Sequence, residues 1–114
     1  MKLNHLNLTV TDVAETVKFL EKYFGLRSQG GNKGMAFLFD DDGLVLSLMK
    51  AGKATKVEYP GSFHIGFIQE SEARVNELNQ RMRDDGFDVE PPQRSHAWTF
   101  YVGAPGGFTV EVLA

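Results

Sequence analysis

The chain has 114 residues, with 12 Lys and Arg against 15 Asp and Glu, for a formal charge of −3. Its hydrophobic fraction of 42% and charged fraction of 24% are those of one ordinary globular domain, far from a disordered chain. There is no basic run that would track a nucleic-acid backbone, no apolar stretch long enough for a membrane span, and no cysteine for disulfides or thiolate chemistry.

Residues 3–10 alternate, with Leu6, Leu8 and Val10 on one side and Leu3, His5, Asn7 and Thr9 on the other, which predicts a strand. A helix follows over about Val13 to Phe24. Asp12 is its N-cap, Glu15 completes the spacing of a capping box, and Val13, Val17, Leu20 and Phe24 form the expected buried stripe. Gly30-Gly31 and Asn32-Lys33-Gly34 mark a turn before a strand near Met35 to Phe39. Asp40-Asp41-Asp42-Gly43 is a second turn. It lacks the ligand spacing of a calcium loop and reads as a solvated hairpin. In the next strand, about 44–49, Leu44, Leu46 and Leu48 oppose Val45, Ser47 and Met49.

Residues 51–61, with Gly52, Pro60 and Gly61, read as a linker, after which the order of elements repeats. In residues 62–68, Phe63, Ile65 and Phe67 oppose Ser62, His64, Gly66 and Ile68. Ser71 caps a second helix with Val75, Leu78 and Met82 as its stripe, and Gly86 ends it. Trp98, Phe100 and Val102 then oppose Thr99 and Tyr101, and Phe108, Val110 and Val112 oppose Thr109, Glu111 and Leu113. We therefore read one domain over 1–114, with a first half of about 1–50 and a second of about 62–114.

The apolar sets supply a face for each helix. The opposite face gathers His5, Asn7, Thr9, Ser47, His64, Thr99, Tyr101 and Glu111 with no lysine, which suits a concave cleft better than a solvated sheet. His5 and His64 hold equivalent places in their halves. Ser47 follows Gly43 by four residues and Glu111 follows Gly107 by four, so a duplicated site has positions His5, Ser47, His64 and Glu111. A single strand histidine more often serves a structural hydrogen bond, and a single strand glutamate is usually exposed. Their duplicated placement on one face points instead to a divalent metal held by His5, His64 and Glu111. Fe(II), Mn(II), Ni(II) and Zn(II) are the candidates, with positions open for a substrate bearing two neighbouring oxygens.

Three stretches carry a resemblance. They are Asn4-His5-Leu6 with Val10-Thr11-Asp12, Phe63-His64-Ile65-Gly66, and the run from Phe100 to Glu111, which is similar to F-Y-x-x-D-P-x-G-x-x-x-E with Ala104 in the Asp position. The chain resembles the glyoxalase, bleomycin-resistance and ring-cleaving dioxygenase superfamily, also called vicinal oxygen chelate proteins. This resemblance implies an α+β fold of two tandem βαβββ modules that form a cupped, curved mixed sheet with helices on the outer face. It also implies a homodimer, because many members build each cavity from modules of two chains.

The reaction it implies is metal-dependent chemistry on a small oxygen-rich molecule, by a lyase, dioxygenase or thiol transferase. Glyoxalase I carries a second Glu where Ser47 stands here. Ring-cleaving dioxygenases share the His, His, Glu set but are mostly longer. Fosfomycin thiol transferases resemble the Arg94-to-Tyr101 segment, matching Arg94, Ser95, Thr99 and Tyr101, although Asn7 replaces their usual Thr. Tyr101 is expected to give a hydrogen bond or proton to substrate, since it lies on the cleft face with the expected ligands. Asn7, Thr9, Ser47 and Thr99 are expected as polar contacts, and Arg94 as a partner for an anionic group. His96 is a further loop candidate, although it reads more readily as a solvent-exposed histidine. The non-enzymatic alternative is a metal-free, drug-sequestering protein of the bleomycin-resistance kind. In either case the expected partner is a small molecule rather than nucleic acid or membrane. The expected location is cytoplasmic, because residues 1–5 lack the apolar run of a signal peptide and cysteine is absent.

Overall fold

The structure is a computed structural model describing residues 1–114. Its element order is βαβββ twice over: β1 (His5–Val10), α1 (Val13–Phe24), β2 (Arg27–Asn32), β3 (Met35–Phe39) and β4 (Val45–Lys50), then β5 (Ile65–Ile68), α2 (Glu72–Asp84), β6 (Gln93–Arg94), β7 (Trp98–Gly103) and β8 (Thr109–Leu113). The mixed sheet read from the sequence takes the form of two open four-stranded sheets. Their orders are β1-β4-β3-β2 and β5-β8-β7-β6. In each, the first strand pairs in parallel with the last, and the other pairings are antiparallel. No helix is long and apolar enough to cross a membrane.

The chain forms two compact units. The first comprises Met1–Tyr59 together with Pro105–Phe108, and the second Pro60–Ala104 with Thr109–Ala114. In the first, Asp12 caps α1 by accepting from Glu15 N at 3.0 Å, and Gly25 closes it in the left-handed region at φ 67°. The buried stripe is rotated from the expected one. Val13, Thr16, Phe19, Leu20 and Tyr23 are buried, whereas Val17 and Phe24 are half-buried. Thr16 can face the core because its hydroxyl donates to Asp12 O at 2.6 Å and lies 3.0 Å from Pro105 O, so no polar atom is stranded. Leu8, Val10, Leu38, Leu46 and Leu48 complete this core.

β2 was not legible as a strand. All six of its residues are exposed, it lies at the sheet edge, and its register shifts between Ser28 and Gly31, so it carries no alternating pattern. β1, at the other edge, is met by Tyr59, whose hydroxyl accepts from Thr9 N and donates to Thr9 O. In the second unit, Ser71 caps α2 by accepting from Arg74 N, and Val75, Leu78 and Met82 are fully buried, as the sequence predicts. α2 packs on β7 and β8, whose buried residues include Phe100, Val110 and Val112. α2 covers one face of its sheet and leaves the other open.

Candidate functional site

β8 places Glu111 directly opposite Gly66 on β5 and Tyr101 on β7. A Cβ at position 66 would make only ordinary contact with the carboxylate, 3.9 Å from Glu111 Oε1. Glu111 is only 4% exposed, so its charge needs partners. Oε2 accepts from His96 Nε2 at 2.6 Å and from Thr99 Oγ1 at 2.7 Å. Oε1 lies 3.3 Å from His64 Nε2. The Tyr101 phenol bears on the same carboxylate and stands edge-on to the His64 ring, with centroids 5.5 Å apart. Thus His64, Thr99, Tyr101 and Glu111 converge, joined by His96, which is exposed as the sequence suggests yet reaches the carboxylate from its loop. No pattern in the loop identifies His96, because its role depends on where the β6–β7 turn lies over the sheet.

Burial pushes the Glu111 carboxyl upward, but hydrogen bonds from Thr99 and His96, the nearby His96 charge and the Tyr101 hydroxyl outweigh it, and the net direction is downward. The Tyr101 phenol is shifted up, first by desolvation and then by the Glu111 charge and its hydrogen bond.

His64 Nδ1 lies 3.0 Å from Ser62 O. A carbonyl can only accept, so this ring nitrogen carries a hydrogen, and in the neutral ring Nε2 presents a lone pair. That lone pair faces a carboxylate oxygen. Two donor atoms 3.3 Å apart suit two metal bonds of about 2.1 Å at an angle between octahedral and tetrahedral. A ligand histidine whose other N–H goes to a backbone carbonyl is also the usual arrangement at metal sites. The second unit therefore offers two compatible donors. Neither unit by itself gathers three His, Cys, Asp or Glu side chains into a metal-holding group.

In the first unit, Asn7 is opposite Ser47, and His5 lies two residues before Asn7, as His64 lies two before Gly66. Ser47 Oγ donates to Asn7 Oδ1 at 2.7 Å, and His5 Nδ1 meets Asn4 Oδ1 at 3.1 Å. Thr9 continues the same face. Phe37, opposite Ser47, and Met49, opposite Thr9, lie on this face too, so it is less polar than the sequence suggested. Arg94 is placed differently from Thr99 and Tyr101. Its guanidinium is 2.6 Å from Glu72 on α2 and lies over the Trp98 ring, on the helix side of the second sheet. A cavity of about 320 Å³ adjoins the carboxylate cluster, with Pro91, Gln93, Ser95, Thr99 and Tyr101 among its walls, at the small end of ligand-binding pockets.

Residues 2–112 match the family model for the Glyoxalase/Bleomycin resistance protein/Dioxygenase superfamily. The chain belongs to this superfamily. A solved structure described as a possible glyoxalase from Bacillus cereus is 53% identical, with a TM-score of 0.93 over 100% of this chain and 99% of that one. The fosfomycin resistance protein FosX of Listeria monocytogenes, complexed with Mn(II) and sulfate, shares the fold at 21% identity. Its TM-score is 0.81, with 99% of this chain and 89% of that one covered. Lactoylglutathione lyase of Agrobacterium tumefaciens does so at 19% identity and TM-score 0.75, covering 98% and 92%. A comparison with curated proteins gave no match.

Proposed function

We propose that this superfamily member is a divalent-metal-dependent enzyme of the glyoxalase or dioxygenase type, acting on a small substrate that chelates through two neighbouring oxygens. His64 and Glu111 are two of its ligands and His5 is the third. The observation that carries this reading is the approach of His64 Nε2 to Glu111 Oε1 while Nδ1 of the same ring is engaged by Ser62 O. At 3.3 Å the pair is held together by whichever cation lies between the two atoms, a proton or a metal ion. The duplicated register supports His5, whose Nδ1 is likewise engaged, leaving Nε2 for a ligand bond. Its module belongs either to the same chain or to a second copy in a homodimer, as in many relatives. A bound Fe(II), Mn(II), Ni(II) or Zn(II) would polarise a substrate oxygen as a Lewis acid.

The protein's own groups do the rest. The phenol of Tyr101 donates a hydrogen bond or proton to the substrate, and its raised pKa keeps that proton in place at neutral pH. Thr99 binds the substrate from the cavity wall, with Asn7, Thr9 and Ser47 as polar contacts from the first module. Arg94 stays outside this set because Glu72 already holds it. A small substrate fits the cavity volume, and a cysteine-free chain fits a cytoplasmic setting.

The test is the metal content of purified protein by elemental mass spectrometry, beside a His64→Ala variant. We expect about one metal ion per chain in the parent and its loss in the variant. A parent that stays empty after incubation with Fe(II), Mn(II), Ni(II) and Zn(II) overturns the reading. One observation favours a second reading, a metal-free small-molecule binder: Oε2 of Glu111 is already satisfied by protein donors beside a cavity partly walled by Pro91, Phe100 and Tyr101. Tight ligand binding by metal-free protein would support that alternative.

A further inference from the structure

We infer that His96 is a positioning residue: it fixes Oε2 of Glu111 so that Oε1 is the oxygen offered to a metal. This inference rests on the metal-site reading above. His96 is the middle residue of the three-residue loop between β6 and β7, closed by Ser95 N donating to Ala97 O at 2.9 Å. The loop stands on a short ladder, Gln93 opposite Thr99 and Arg94 opposite Trp98. That ladder is clamped on its helix side. Arg94 binds Glu72 and stacks over Trp98, while Trp98 Nε1 donates to Asn76 at 2.8 Å. Arg94 thereby gains a structural account, and the loop has a fixed base from which to present its ring.

The two histidines on Glu111 do opposite things. In its neutral form His64 turns a lone pair toward Oε1, because its N–H is given to Ser62 O. His96 must turn an N–H toward Oε2, because a carboxylate oxygen at 2.6 Å from Nε2 can only accept. With Thr99 as a second donor, Oε2 is held twice. A carboxylate pinned this way has one oxygen left for a metal and a fixed plane, which disfavours bidentate binding. The His96 side chain is 53% exposed, so removing it leaves no core cavity, and its effect is separable from folding.

The experiment is calorimetric titration of metal-stripped full-length protein with Mn(II), for the parent, His96→Ala and His96→Gln. Thermal melts of the metal-free forms and nitrogen NMR of the parent's histidine rings accompany it. We expect His96→Ala to bind Mn(II) about 10- to 100-fold more weakly while still melting cooperatively. His96→Gln, which keeps an N–H donor, should recover most of that loss. In the metal-free parent, the neutral His96 ring should carry its hydrogen on Nε2 and the neutral His64 ring on Nδ1. Equal affinity in His96→Ala, no recovery in His96→Gln, or hydrogen on Nδ1 of His96 each overturns this inference while the metal site stands. A parent that takes up no Mn(II) overturns the site and the inference together.

Discussion

In the first module Ser47 on β4 has Asn7 and Phe37 as its cross-strand neighbours. In the second, Glu111 on β8 has Gly66 and Tyr101. One step along the same face, Met35 pairs with Met49 in the first sheet, where Thr99 pairs with Leu113 in the second. The registers correspond residue for residue, so the difference lies wholly in the side chains. Ser47 and Asn7 are neutral, satisfy each other at 2.7 Å and ask nothing of their surroundings. A buried carboxylate at the same position requires hydrogen-bond donors around it. Tyr101 and Thr99 therefore stand where the first module has Phe37 and Met35. The backbone tolerates either solution, and the charge determines which neighbours must change with it.

The largest test of this contrast uses the turns that precede the two last strands. Gly106 has φ 97°, and a Cβ there would run into Thr16 Oγ1 and the Val10 side chain. Gly43 has φ 85°, but its Cβ would meet little besides Lys2 Nζ at 4.0 Å. Gly106→Ala should destabilise by about 3 kcal/mol, from strain plus overpacking, and Gly43→Ala by about 1 kcal/mol, from strain. Urea unfolding of both variants checks this, and equal losses would mean that the second turn is not tightly packed.

Next in size is Thr99→Val, expected to cost about 1–2 kcal/mol at neutral pH because the buried carboxylate loses a donor. The pH dependence has a definite sign. The Glu111 carboxyl is lowered in the folded state, so it contributes stability that is full above its ordinary value and is lost as pH falls through the lowered one. Removing Thr99 takes away a lowering influence, moves the folded value up and narrows the gap in stability between neutral and acid pH. Unfolding curves of parent and variant across that range would show the two gaps converging or not.

The smallest effect should be in the first module. Ser47→Ala is expected to change stability by no more than about 0.5 kcal/mol, because exposed Asn7 can turn to water instead. A loss comparable to that of Thr99→Val would show that the first module also holds a demanding polar centre, and would break the comparison.

Much of this was legible in the sequence because both sheets are half-covered and their strands alternate. The equivalence of His5 with His64, and of Ser47 with Glu111, follows from that alternation and the paired glycines, and the strand registers bear it out. Elements without a buried side were harder to see. β2 is exposed throughout and β6 has two residues, so neither leaves a periodic trace. The α1 stripe was misjudged at Val17 and Phe24 because hydrophobicity was the guide, whereas Thr16 is buried through hydrogen bonds to carbonyls at positions 12 and 105. The contacts that His96 and Arg94 make were hidden for a related reason. Which way a loop residue points is set by the hairpin's anchorage on α2, a tertiary fact with no local signature.

Pro105–Phe108 lies in sequence between β7 and β8, yet it packs as part of the first unit. Thr11 N donates to Gly106 O, and Thr16 bonds Pro105 O. A gene split after Tyr59 would therefore not yield two self-sufficient products. The amino-terminal fragment would lack four residues of its own packing, and the carboxy-terminal fragment would carry them as an orphaned loop.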